Sequence, residues 1–234
     1  MNVSRRESLQ FSATAVAALA LAAVKSSKAQ AQAPAAPQPD ALVDTRLRTV
    51  APLPLKLDGS AVEYSQGETG PIDGVLWKTK GTPDAEFDVR KMKIKLDGRG
   101  TTKLSGTLKF DDLEKLPRHS QITLLQCGAP KPHGVVKWTG VRFSDLAQAI
   151  GAQSFANYAR FTASDDYYLD EDMKVLMHPQ VMLAWMVNDK PLPPENGAPL
   201  RLVVPFRYGA RSVKAITGIQ FTATSFPPQK GWQT

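Results

Sequence analysis

The alternation of apolar and polar positions is clearest over residues 87–96, where Phe87, Val89, Met92, Ile94 and Leu96 fall between charged residues before Asp97-Gly98. A period of two predicts a half-buried strand followed by a turn. Residues 104–108 predict a second strand, and residues 111–116 a short helix with Asp111 and Asp112 at its start and Pro117 as its stop. An apolar run over 121–126 with strand character then leads into Cys127, Gly128, Ala129 and Pro130. Residues 135–141 predict the next strand, and residues 143–150 carry helical spacing ended by Gly151.

Residues 158–163 again read as a strand. Residues 181–187 are apolar without interruption, so a strand and a buried helix both fit the periodicity. Asn188-Asp189-Lys190 predicts a hairpin turn, residues 191–199 a loop rich in proline and glycine, and residues 200–205 and 218–224 the last strands. Strands and short helices interleave with no internal repeat and no linker between residues 42 and 234, which predicts one α+β domain.

The N-terminal part changes the picture. Ser4-Arg5-Arg6 precedes an alanine-rich apolar segment over 11–24, and small residues follow around Ala31 and Ala33. This predicts a twin-arginine signal peptide over 1–33, recognised by the twin-arginine export machinery and directing the protein to the periplasm. Residues 34–41 read as a disordered tether, residues 42–86 as an extended arm punctuated by glycines, and residues 87–234 as the main domain. The export route carries folded proteins, so it suits a chain that takes up a cofactor before crossing. Loss of 1–33 would remove Arg5, Arg6, Lys25, Lys28 and Glu7, lowering the formal charge from +7 to +4. With no lysine-arginine block and no aromatic residues interleaved in a basic stripe, the composition argues against nucleic-acid binding.

Cysteine usage narrows the chemistry further. A single cysteine excludes a thiolate-bridged iron–sulfur cluster, an attached c-type haem and a cysteine-rich zinc site within this chain. His119, His133 and His178 lack metal-binding helical spacing. Cys127 has three readings: a small buried hydrophobe, a ligand for a soft transition metal, or a nucleophile with His119 or His133 as base. Arg201, Arg207, Arg211 and Lys214 form a dense cationic stretch between two predicted strands. It reads either as a solvated basic loop or as a seat for a phosphate group. Taken with Cys127, the second reading describes a metal complexed by a phosphorylated organic cofactor.

Two ordered blocks carry a family resemblance. Leu113 to His119, Leu124-Leu125-Gln126-Cys127 and Trp138-Thr139-Gly140-Val141 form the first. The second comprises Met182-Leu183-Ala184-Trp185, Pro191 through Pro205, Tyr208-Gly209 and Ser212-Val213-Lys214. Together they resemble the cysteine region and the pterin-binding stretch of the sulfite oxidase family of molybdopterin enzymes. The resemblance implies a sulfite-oxidase-like α+β domain with mixed β-sheets and short helices. It also implies molybdenum held by the dithiolene of one molybdopterin and by Cys127. Arg201 and Lys214 match positions that bind the cofactor phosphate, with Asn196, Tyr208 and Arg211 beside them. Tyr167, with Tyr168 as its alternate, matches a tyrosine that faces the metal's oxo group.

Two departures accompany this likeness. Sulfite-oxidising members carry an arginine pair soon after the cysteine, where this chain has Lys131-Pro132-His133. With its last residue at Thr234, the expectation is a short form without the family's immunoglobulin-like dimerisation domain. The resulting expectation is a periplasmic oxidoreductase that transfers an oxygen atom to or from a small substrate, with oxidation of sulfite or a related sulfur oxyanion in first place. Lys131, His133 and Arg207 would attract that oxyanion. A sulfoxide reductase of the periplasmic methionine sulfoxide reductase type is the alternative, and a metal-free binding domain on the same fold is the reading from a different class. With no second redox centre in the chain, electrons are expected to pass through a c-type cytochrome or a membrane haem subunit.

Overall fold

Two five-stranded sheets organise the protein. In the computed structural model, residues 50–75, 77 and 82–226 are described; the signal and tether expectations lie outside them. Every described residue belongs to the unit Asp44–Thr234. The strands are β1 (Ile94–Asp97), β2 (Gly106–Leu108), β3 (Arg118–Gln126), β4 (His133–Arg142), β5 (Tyr158–Ala163), β6 (Tyr168–Asp172), β7 (Met182–Val187), β8 (Lys190–Pro191), β9 (Arg201–Val203) and β10 (Ile216–Thr222). Three short helices join them: α1 (Phe110–Glu114), α2 (Phe143–Ala149) and α3 (Met173–Leu176).

The first sheet runs β2-β1-β10-β5-β6, and β1 pairs parallel with β10 while its other pairings are antiparallel. Burial alternates along β5 as the period of two requires, with Ala159, Phe161 and Ala163 inside. The strand expected over 87–96 is shorter than its alternation suggests. Met92, Ile94 and Leu96 do point inward, yet residues 89–91 form a 3-10 turn capped by the Asp88 side chain, which accepts from the Arg90 amide. Pairing starts at Ile94 because its partner Leu108 ends β2, and the chain turns into α1 at Phe110.

The second sheet runs β3-β4-β7-β8, with β9 also pairing to β7. β4 occupies one edge of β7, so β8 and then β9 line the other. Both faces of β7 are covered: Leu183 and Trp185 enter the larger core, while Met182 and Ala184 enter a smaller one around Leu125, Val136 and Trp138. An uninterrupted apolar run is what a strand buried on both faces needs, which resolves the ambiguity over 181–187 in favour of a strand. Asn188 and Asp189 both take positive φ, 48° and 61°, and close the β7–β8 hairpin as expected. At Gly140, where β4 slips register against β7, an added Cβ would lie 1.9 Å from the Leu183 carbonyl oxygen. Only glycine allows the two backbones to approach there.

Residues 50–75 run along the second sheet. The Tyr64 amide donates to Ile122 O on β3, Gly70 donates to Val135 O, and Asp73 exchanges two hydrogen bonds with His133 at 2.7 and 3.0 Å. Buried Gln180 fastens the same segment by bonding both the amide and the carbonyl of Ala61. Among the described residues no helix is long and apolar enough to cross a membrane.

Candidate functional site

β3 ends at Gln126, and the chain folds into a closed loop that presents Cys127. Its amide donates to Pro132 O at 3.0 Å, and the Gln126 side chain donates to the carbonyls of Cys127 and Ala129 at 2.9 and 3.0 Å. The sulfur is enclosed, with the residue 7% exposed. It lines a cavity of about 330 Å³ together with Ile72, Trp77, Tyr167, Arg201 and Lys214, among others. No histidine among the described residues hydrogen-bonds Cys127, so the geometry supplies no base for a nucleophilic thiol.

Arg201 reaches this cavity because of strand alternation. β9 sends Leu202 into the larger core and Arg201 and Val203 to the opposite face, where the guanidinium lies 5.1 Å from the centre of the Trp138 ring. Arg201 is 3% exposed, and its Nη1 donates to the Asn196 carbonyl at 2.8 Å. Its buried Nε has no partner, and among the described residues no carboxylate pairs with the guanidinium. Burial pulls its pKa down to about 10.

Lys214 stands beside it. Burial first, and then the neighbouring Arg201 charge, lower its pKa to about 7, against the opposing pull of Asp165 and Cys127. Its ammonium donates to Glu195 O at 3.3 Å and lies 3.7 Å from the centre of the Trp77 ring. Gly197, at φ 110°, makes room for the lysine stem, since an added Cβ would come within 2.9 Å of Lys214 Cβ. Buried Asp165 lines the same cavity and pulls against the lowering at Lys214, while the desolvated Arg201 guanidinium, whose Nε has no partner, leaves positive charge in the wall that an anion would offset. A soft thiolate donor completes a set that fits a phosphate-bearing organic group carrying a thiolate-ligated metal.

Tyr167 also lines the cavity, and its hydroxyl donates to the Ala210 carbonyl at 2.7 Å. Burial raises its pKa above the ordinary phenol value. Tyr168, its alternate, instead stacks on Arg160 at 4.3 Å. Asn196 lines the cavity as well. The structure thus brings Cys127, Tyr167, Asn196, Arg201 and Lys214 together.

The remaining candidates do not line it. Lys131 turns towards the arm and pairs with Asp73 at 2.9 Å. His133 is exposed at the start of β4, with its backbone engaged by Asp73. Arg207 is exposed, and the Tyr208 hydroxyl approaches Ala51 O at 3.5 Å. Arg211 points away to Glu171, donating from Nε at 3.0 Å and from Nη2 at 2.6 Å. Sequence reasoning had missed Trp77 and buried Asp165, both in the cavity wall. Nothing in the sequence marks Trp77, whose place in the wall comes from its contact with Lys214, whereas Asp165 sits two positions before Tyr167 and was open to inspection.

Residues 80–230 match the family model described as an oxidoreductase molybdopterin binding domain. A putative protein-methionine-sulfoxide reductase subunit of Azospira oryzae is 32% identical over 142 residues, which cover 61% of this chain and 53% of the relative. A protein-methionine-sulfoxide reductase catalytic subunit of Campylobacter jejuni is 32% identical over 165 residues, covering 63% and 54%. This chain therefore spans about half the length of these curated relatives. Among solved structures, the sulfane dehydrogenase SoxCD of Paracoccus pantotrophus matches with a TM-score of 0.54 at 21% identity, over 60% of this chain and 40% of that one, a likeness of fold.

Proposed function

The chain belongs to the oxidoreductase molybdopterin binding domain family, and from that premise we propose that it is the molybdenum-bearing part of an exported reductase for neutral sulfoxides. The observation that carries this reading is the chemistry of the cavity wall. Ile72, Val75, Leu125 and Pro132 line it beside Cys127, while Lys131, His133 and Arg207 do not. The two cations that do line it, Arg201 and Lys214, are assigned to the cofactor phosphate. A doubly charged oxyanion would then meet an apolar wall, whereas a neutral sulfoxide with apolar substituents is suited to it. The Azospira and Campylobacter relatives, a putative subunit and a catalytic subunit of protein-methionine-sulfoxide reductases, point to the same substrate class. Both observations favour the alternative expectation, sulfoxide reduction, over oxidation of sulfite.

In this reading Cys127 is the protein's ligand to molybdenum, Arg201 and Lys214 hold the phosphate as a fork and a point charge, and Asn196 borders them. Bound there, the cofactor supplies a two-electron redox change coupled to transfer of one oxygen atom. Sulfoxide reduction consumes two electrons and two protons and releases a thioether and water. The Tyr167 hydroxyl is held by Ala210 O and re-aims into the cavity by rotation about its C–O bond. A half-buried phenol whose pKa is raised by desolvation keeps its proton and serves as a donor. Electrons arrive from a haem-bearing partner, in keeping with the word subunit in the relatives' names. The twin arginine places the protein in the periplasm, with 1–33 as signal, 34–41 as tether, 42–86 as arm and 87–234 as catalytic domain.

The test uses the full chain purified through its export route. Near-stoichiometric molybdenum and turnover of an alkyl sulfoxide with a reduced dye are expected, with no turnover of sulfite plus an electron acceptor. Turnover of sulfite alone would reverse the assignment, and absence of molybdenum under replete conditions would leave a binding domain.

A further inference from the structure

Glu171 lies on β6, is 6% exposed and does not line the cavity. Its Oε2 accepts both Nε and Nη2 of Arg211, and Nη2 also reaches the Asp170 carbonyl at 3.1 Å. Arg211 closes a single 3-10 turn, Gly209–Arg211, whose next residue Ser212 returns its amide to Gly209 O. That turn is pinned at three successive residues: Ala210 by the Tyr167 hydroxyl, Arg211 by Glu171, and Ser212 through its hydroxyl, which accepts from the Val204 amide. At the turn's other end, Gly209 lies against the cysteine loop, so that an added Cβ would sit 3.5 Å from Gln126 O and 3.6 Å from Cys127 Cα. From there the chain runs through Ser212 and Val213 to Lys214, all in the cavity wall.

The turn therefore spans two walls of the site, one carrying Cys127 and one carrying Tyr167 and Lys214. Hydrogen bonds to charged groups are the strong fasteners among those that hold it. We propose that Glu171 is a positioning residue: acting through Arg211, it fixes the Gly209–Arg211 turn over the Cys127 loop and so sets the spacing of the cavity walls. The connection between this role and catalysis rests on the cofactor assignment made above. It also gives Arg211 a role different from direct contact with the phosphate. Its guanidinium is drawn out of the cavity, and the carboxylate that draws it there lies outside every motif of the family resemblance.

The test reads the covering of Cys127 directly. The full chain, produced without molybdenum, is treated with iodoacetamide and the rate of alkylation at Cys127 is measured. Glu171→Gln and Arg211→Met should each raise that rate about tenfold or more, since each loosens a charge-assisted fastener. The double variant should be no faster than the faster single one, because both changes release the same contact. Glu171→Asp, which keeps the charge, should fall between wild type and Glu171→Gln and serves if the latter fails to fold. Ile150→Val, a mild change in the larger core, controls for general loosening and should leave the rate unchanged. In protein loaded with molybdenum, the same two single variants should lose metal faster on dialysis, with Glu171→Asp restoring retention. Wild-type alkylation rates in Glu171→Gln and Glu171→Asp, additive effects in the double variant, or an equal rise in the control would each overturn the proposal. Because alkylation needs no cofactor, a protein that never takes up molybdenum would defeat the cofactor assignment while leaving this result readable.

Discussion

The Lys214 ammonium lies 3.7 Å from the centre of the Trp77 ring, so a residue of the N-terminal arm caps a cation from the segment just before β10. The negative face of the indole replaces part of the water that the ammonium has lost. Burial and the neighbouring Arg201 charge act in the opposite sense and lower the pKa of the lysine.

That pKa predicts a pH dependence. Free lysine holds its proton up to 10.5, while Lys214 in the folded, cofactor-free protein holds it only to about 7. Between these values the unfolded chain binds the additional proton, so stability rises with pH across this window and is flat below it as far as this residue is concerned. Denaturant midpoints of the cofactor-free protein at pH 6, 8 and 9.5 should climb, and Lys214→Met should flatten the climb. A slope unchanged in the variant would place its origin elsewhere.

Arg201→Met should separate stability from binding. The cofactor-free variant is expected to be as stable as wild type or to gain about 1 kcal/mol, because a buried cation without a carboxylate partner is replaced by an apolar side chain of similar length. Its molybdenum content after purification should fall about tenfold or more, and Arg201→Lys should not restore it, since a point charge lacks the guanidinium fork. Full metal content in Arg201→Met would remove this residue from the cofactor site.

Cys127→Ser is a near-isosteric change at an enclosed position, so the fold should survive with a loss of about 1 kcal/mol or less. Sulfoxide turnover should drop by about 100-fold or more, at or beyond the roughly 10- to 100-fold found for disturbed outer-shell partners of metals. The thiolate-to-metal absorption band should vanish as well. A variant with wild-type absorption would show that the sulfur does not bind the metal.

Gly140→Ala tests the join between β4 and β7. The added methyl would meet the Leu183 carbonyl and lie 2.7 Å from Ala184 Cα, backbone atoms that move only if the strands part. A destabilisation of about 3 kcal/mol or more is expected in urea denaturation. A loss under about 1 kcal/mol would mean that the sheet opens there at little cost.

Much of this architecture was readable because period-two signals are local. β5 coincides with its predicted range, and β4 and β7 differ by a residue or two at their ends. β6 was not identified, since Tyr-Leu-Asp-Glu-Asp has too few apolar positions; its pairing to β5 and the Arg211–Glu171 contact supply what the sequence pattern lacks. Cys127, Arg201 and Lys214 each allowed a bland reading on composition alone, and the family resemblance grouped them; the fold brings them to one cavity. Lys131 and His133 stand close to Cys127 in sequence but outside the cavity wall. Neighbourhood in sequence does not fix direction: the loop after Cys127 carries the Lys131 ammonium to Asp73, and Asp73 holds the backbone of His133 at an exposed position. Trp77 was invisible because its partner lies far along the chain.

The pairing of β1 with β10 has a consequence for biosynthesis. Gln220 reaches Asp97 across 123 positions, and β10 lies between β1 and β5. Until residues 216–222 emerge from the ribosome, both neighbours present raw edges to whatever lies nearby, including other nascent chains. The sheet is therefore closed by one of its last-made strands, and nonsense or frameshift products that end before residue 216 should aggregate rather than persist as partly active fragments.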